Sequence, residues 1–475
     1  MLPSQIFPAQ VGSDVYIMQL FYIIATTGAM MAVFALVLLD AGIAKSKNVI
    51  DTIVQKILCA MIGGVSFMVV GYAIWNWQFY QALAVKDAFA HAVKDWWLFG
   101  TNMTVFSQHL DPAVVPQADF QQLFALFFFA FGGLVAAFIH GAGLERMKPL
   151  PAFIMAALGG GVFLPVTTYL TWGSASPLTN AGLHDFVGSF SLYIFVGIWS
   201  LVLAWRLGPR RGYTGVPGNF ALVGAGTFLL ILAIPMVVVG CGYLIPGKGY
   251  FGVTNTESGL GIVFTNVFMA LGGGALSGAV LAYGQRKPVY ALLGPIAGYV
   301  SCTALYDIAV PWQAFCISLG GPVILLAGLN LVGKLGIDEP KIAPLALGPA
   351  IYSVLMAGIV GAGRPTGGFM GVTQGAFAFQ HAHISLGMQA VGLAIMVPGI
   401  VVFAFVIIVL VEKTIGLRVS AAEEDGGLDI AYWLPKLSPA LSTTVETLPP
   451  DYNHIVPAEA ARSVERNNGI QRTDG

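Results

Sequence analysis

Long apolar runs broken by short polar segments organise this chain from about residue 16 to residue 412. Crossing the hydrocarbon of a bilayer takes about 20 apolar residues in a helix. On that measure the pattern predicts eleven membrane helices, near 16–40, 54–77, 120–144, 150–171, 185–206, 219–245, 258–284, 289–308, 311–333, 342–363 and 384–412. Ten spans before a terminal one allow two five-helix halves of opposite orientation, the inverted-repeat plan of many transporters. The expected fold class is therefore an all-α polytopic membrane protein, with a transmembrane domain over 1–413 and a tail over 414–475. Beyond about 434 the tail turns to Pro, Ser, Thr and charge, a composition of disordered segments.

Composition supports the same class. Of the residues, 57% are hydrophobic and 9% charged, too little polar surface to coat a soluble globule of 475 residues. The net charge of −1 says little, but its placement is informative. With the N-terminus outside, the cytoplasmic side collects Lys45, Lys47, Lys56, Arg146, Lys148, Arg206, Arg210, Arg211, Arg286, Lys287, Lys334 and Lys341, followed by Lys413 and Arg418. The outer loops hold Lys86, Lys94, Lys248 and Arg364. This asymmetry follows the positive-inside rule and fits an odd number of spans with the C-terminus in the cytoplasm. The first fifteen residues show no basic region ahead of a separate apolar core, so the first span is expected to serve as an uncleaved signal.

Cys59, Cys241, Cys302 and Cys316 lie in apolar runs without CxxC spacing, which points to packing rather than to a disulfide framework or a zinc site. The glycines Gly159 to Gly161, Gly272 to Gly274 and Gly278 suit close helix approach. No phosphate loop, metal cluster or nucleophile arrangement stands out. An enzyme is therefore not the expected class, and neither a cofactor nor a metal is implied.

Five ordered segments carry a family resemblance. They are AGIAKSKNVIDT at 41–52, HGAGLERMK at 140–148, Trp172 and Gly173 followed by His184, Asp185, Phe186 and Gly188, then LGPRRGY at 207–213, and VEKTIGLRVSAAEEDGGLDIAYW at 411–433. In this order and spacing the chain resembles the ammonium transporter, methylammonium permease and Rhesus family. The resemblance implies a central pore in each protomer of a homotrimer, and a C-terminal segment that contacts neighbouring protomers and PII-type signal proteins. It also assigns roles. Phe127 and Phe131, spaced i, i+4 on one helix face, match the outer pore wall, Trp172 matches the vestibule tryptophan, and Asp185 matches the buried aspartate beneath the recruitment site. On the residues alone, Asp185 can equally cap the helix that follows it.

Departures from the family pattern begin in the sixth span, where AIPMVVVGC at 233–241 stands for an aromatic-rich segment. The second gate phenylalanine falls on Val237 and the vestibule serine on Cys241. The paired pore histidines of the family fall on Tyr193 and Leu347, and no histidine lies between His184 and His381. Imidazole titrates near neutrality and offers two nitrogens for proton relay, whereas a phenol with pKa near 10 is a poor proton carrier. Thr303 matches a family threonine, close to Ser301, Tyr306 and Asp307 near the end of span eight. His140, half a turn out of phase with Phe131, is expected to face away from the aromatic stripe.

The resemblance implies a transporter or channel for ammonium or ammonia. A pore centred on Tyr193 and Leu347 favours a neutral species, because a bare cation costs several kcal/mol to bring into an apolar pore. The alternatives are a channel for another small neutral molecule, or a sensor whose pore no longer conducts.

Overall fold

The computed structural model describes residues 13–104, 116–212, 215, 217–245, 248–339 and 341–434. Among the described residues ten helices are long and apolar enough to cross a membrane: α1 (Ile17–Ile43), α2 (Ser46–Ala82), α3 (Gln121–Ala142), α4 (Pro149–Trp172), α5 (Ser189–Leu207), α6 (Phe220–Val239), α7 (Leu260–Gln285), α9 (Pro311–Lys334), α10 (Ile342–Val360) and α11 (Leu386–Ile415). The eleventh apolar helix, α8 (Val289–Val300), has 12 residues. It rises only about 18 Å, and its path onward to Ile308 is a chain of turns rather than the helix expected over 289–308. The chain is a multi-pass membrane protein, and the eleven-helix expectation holds with this one shortened member.

The packing of the first five helices recurs in the next five. Helix α2 lies against α3 and α4, and α3 against α5; correspondingly α7 lies against α8 and α9, and α8 against α10. Between the halves α1 packs along α6 and α5 along α10, with α11 laid over α5 and α10. Glycine allows the closest crossing. A Cβ on Gly278 would sit 2.6 Å from the Cα of Gly294, and one on Gly294 would sit 2.8 Å from the Cα of Gly278, so α7 and α8 meet backbone to backbone. Gly272 faces open space.

Three helices are interrupted by π-helical turns, at Phe67–Gly71 in α2, Gly159–Phe163 in α4 and Ser189–Ile194 at the start of α5. Such turns place an extra residue in the helix and occur frequently at functional sites. The linkers after α6 and α10 carry small antiparallel sheets, Gly242–Ile245 with Gly249–Gly252 and Glu257–Ser258, and Pro365–Thr366 with Ala382–His383.

The basic loops gather at one end. Lys45 Nζ donates to the carbonyl of Arg211 at 2.5 Å, Arg146 and Arg210 both hold Asp338, and the strand-like bridge of Met147 to Arg418 brings in the segment after α11. That segment continues as a helix over Ala421–Gly426 and a turn over Asp429–Trp433. It docks on the start of α2, where Asp429 accepts the backbone N–H of Ile50 and Asp51 at 3.2 and 2.7 Å and Trp433 Nε1 donates to Asp51 at 2.8 Å. The expected disorder after about 434 lies outside the described residues.

Candidate pore and its flanking networks

An aromatic cluster joins α1, α3 and α4. The i, i+4 spacing on α3 brings Phe127 and Phe131 together with ring centroids 5.8 Å apart, and Phe131 meets Trp172 of α4 at 5.7 Å. Tyr22 of α1 adds a ring 5.9 Å from Phe127. All four are buried. Where α6 ends, a Cβ on Gly240 would lie 2.9 Å from Phe127, so Cys241 follows directly under this ring; its thiol donates to the Val237 carbonyl at 3.7 Å.

On the side of the basic loops this cluster opens into a cavity of about 640 Å3. Phe131, Val237 and Tyr193 line its inner end with Tyr299 of α8. The rings of Tyr193 and Tyr299 meet edge to face at 6.2 Å, with both side chains on the lining. From α10 the lining takes Leu345 and Ala346. Leu347 instead rests its Cβ over Gly197 of α5, where a Cβ on the glycine would come within 2.8 Å, one turn from Tyr193. Among the described residues no histidine lines the cavity.

Asp185 fixes the start of α5. One carboxylate oxygen accepts the N–H of Ser189 at 2.7 Å and the other that of Phe190 at 2.9 Å, satisfying two of the free donors that begin a helix. Thr303, in the turns that follow α8, holds the same segment, sharing a 2.6 Å bond with Ser189 Oγ, while its carbonyl accepts Val187 N–H at 2.8 Å. Both side chains are buried and committed to these bonds.

Two features escape the sequence. His184, one residue before the span expected at 185–206, is fully buried with Nε2 3.0 Å from Asp307 Oδ1 and Nδ1 2.8 Å from Thr254 Oγ1. Asp307 is thus an interior partner of histidine rather than a group at the water interface. Lys56, counted among loop charges, is buried inside α2 at 2.7 Å from Asp40. The readable signal was an ionisable residue inside an apolar run, a mark of function in membrane helices. His140 is buried next to this pair, with no partner for Nδ1 among the described residues.

At the basic end Asp338 receives Arg146 at 2.9 Å and both Nε and Nη2 of Arg210 at 2.9 Å. Burial alone would raise its carboxyl, but the hydrogen bonds and charge of Arg210, with Arg146 behind, hold it down at about 2. Burial lowers the Arg146 guanidinium to about 10, with Asp338 pulling the other way.

The Ammonium Transporter Family sequence model matches residues 20–433. The chain is 27% identical over 410 residues to the ammonium transporter Amt1 of Methanocaldococcus jannaschii, covering 83% of this chain and 90% of that one. It is 26% identical over 405 residues to the ammonium transporter of Bacillus subtilis, covering 83% and 92%. Among solved structures, a "Sensor Amt Protein" superposes with a TM-score of 0.67 at 21% identity over 88% of this chain and 99% of that one. Mep2 of Candida albicans superposes at 0.66 and 17% identity over 87% and 88%. With the family model spanning nearly all of the described helices, the chain belongs to the ammonium transporter family.

Proposed function

We propose that this protein moves ammonia across a membrane through a pore in each protomer, taking ammonium at one face, leaving its proton to water at that same face and passing the neutral molecule through the centre. One observation carries this reading: the cavity is lined by two phenols in edge-to-face contact, Tyr193 and Tyr299, where the family's proton-relaying histidine would stand, and among the described residues no histidine lines it. Phenols can donate to or accept from ammonia, but with pKa values near 10 they are poor proton carriers at neutral pH. Family membership and the ammonium transporters among its relatives support the substrate class.

In this reading Phe127, Phe131 and Trp172 offer ring faces to the arriving cation, each worth about 0.5–2 kcal/mol. Asp185 positions the start of α5 beneath them, Thr303 ties that start to the turns after α8, and Cys241 and Val237 complete the wall. Leu347 supports the wall from behind, over Gly197. The basic end faces the cytoplasm by the positive-inside rule, which leaves the N-terminus outside. A homotrimer and a PII-type protein at the docked segment after α11 belong to the same proposal, by resemblance to the family.

The test is an ammonium pulse on proteoliposomes holding the full-length protein, with internal pH and current recorded together against empty vesicles. Rapid internal alkalinisation with little current is expected. A saturable current of comparable size would overturn neutral passage, and the lack of either signal above empty vesicles would overturn transport. A sensing role is the second reading, favoured by the ordered docking of residues 416–434 on the α2 start. It requires that ammonium change the protease accessibility of that segment in a protein that does not conduct.

A further inference from the structure

Three helices bring one carboxylate and two ammonium groups into the wall of the cavity. Asp40 lies near the end of α1, Lys56 inside α2, and Lys341 directly precedes α10. Lys56 Nζ stands 2.7 Å from Asp40 Oδ2 and donates a further bond to the Ala137 carbonyl at 2.6 Å, while Lys341 Nζ bonds to Asp40 Oδ1. All three line the cavity below the tyrosine pair. The Lys56 and Asp40 side chains are almost fully enclosed and that of Lys341 is 18% exposed.

The arithmetic of charge is the informative part. Lys56 alone would neutralise Asp40, so Lys341 leaves the group with a surplus positive charge. Among the described residues Lys341 Nζ has Asp40 as its one hydrogen-bond partner, which leaves donors to spare on a side chain that lines the cavity. Other charges on the wall do not cancel the surplus. Six basic side chains line the cavity against three acidic ones, and the carboxylate of Asp338 is already held by Arg146 and Arg210. Low-dielectric walls concentrate the field of such charges on whatever occupies the space between them.

We infer that Lys341, held in place by Asp40 and backed by Lys56, is a specificity-determining residue that turns ammonium ions away from the inner cavity while leaving ammonia free to pass. The inference rests on the transport reading above and sharpens it. The phenol pair makes proton relay poor, and the lysine makes entry of the intact cation poor. Removing Lys341 keeps Asp40 paired with Lys56, so this group loses its surplus charge without leaving a buried ion unpartnered.

The experiment compares wild type, Lys341→Met, Lys341→Gln and Lys341→Arg as full-length proteins in proteoliposomes. Internal alkalinisation reads ammonia flux, and the current under ammonium and methylammonium gradients reads cation flux. For Lys341→Met and Lys341→Gln the ratio of cation current to ammonia flux should rise about tenfold, as expected for loss of one nearby charge. Lys341→Arg should keep the wild-type ratio. In the wild type, raising ionic strength should raise the same ratio by screening, which tests the idea even where a variant fails to fold. An unchanged ratio with ammonia flux intact would overturn this inference alone. Absence of both signals in the wild type would overturn the transport reading and the filter with it.

Discussion

The rings of Tyr193 and Tyr299 meet edge to face at 6.2 Å in the lining of the cavity. Both rings are held by their helices, Tyr193 by the π-helical opening of α5 and Tyr299 by stacking at 5.6 Å on Tyr306. Tyr193→Phe keeps the ring and removes the hydroxyl. It should slow ammonia flux about fivefold, the equivalent of about 1 kcal/mol for one hydrogen bond lost to the passing molecule. Stopped-flow alkalinisation of proteoliposomes checks it. A rate equal to wild type would mean that the hydroxyl pair does not lie on the path.

Leu347 sits over Gly197, one α5 turn from Tyr193. Tyr193→His combined with Leu347→His should increase the charge moved per ammonium pulse, because two adjacent imidazoles can hold and pass a proton near neutral pH. The comparison is the transient current of the double variant against wild type at equal protein content. No increase in a monodisperse double variant would show that the missing histidines do not limit charge movement.

Asp338 joins the loop before α10 to those before α4 and after α5 through Arg146 and Arg210. Its folded pKa of about 2 lies below the ordinary carboxylate value. A depressed carboxylate contributes stability that is present above the unfolded pKa, near 4, and is lost as pH falls toward the folded value. The apparent Tm in detergent should therefore carry an Asp338 contribution that is constant above pH 4 and fades between about 4 and 2. Asp338→Asn should remove it at neutral pH, costing about 3 kcal/mol because the buried Arg146 is left without its charge partner. Equal Tm values for variant and wild type at pH 7 would contradict this.

Length and apolarity made the helices readable, since a bilayer imposes both. They could not reveal where α8 stops, because the apolar letters continue to Ile308 while the backbone, after Pro295 inside the helix, breaks into turns at Ser301. Nor did any letter announce the π-helical turns, which change helix register without changing composition. In the site, Phe127, Phe131 and Tyr193 were legible through spacing and family pattern. Tyr299 was not, because one tyrosine in an apolar helix resembles any packed ring, and its partner lies 106 positions away. Lys56 and Asp40 were visible as letters, but their pairing depends on how α1 and α2 fold back on each other, which residue spacing alone does not give.

The His184 and Asp307 pair offers the sharpest separation of structure from transport. Both side chains are buried, and Asp307 has a second oxygen, Oδ2, without a hydrogen-bond partner among the described residues. Truncating His184 to Ala leaves a buried carboxylate and Thr254 without the imidazole, so the loss should be about 3 kcal/mol. Asp307→Asn retains a polar group at the same place, can still bond to Nε2, and should cost about 1 kcal/mol. Neither residue lines the cavity. Ammonia flux per folded molecule should therefore remain at the wild-type level in Asp307→Asn, while the apparent Tm falls slightly. The paired measurement is thermal unfolding in detergent and alkalinisation in proteoliposomes on the same preparation. A variant with near-native Tm and strongly reduced flux would move this pair from the scaffold to the conduction path.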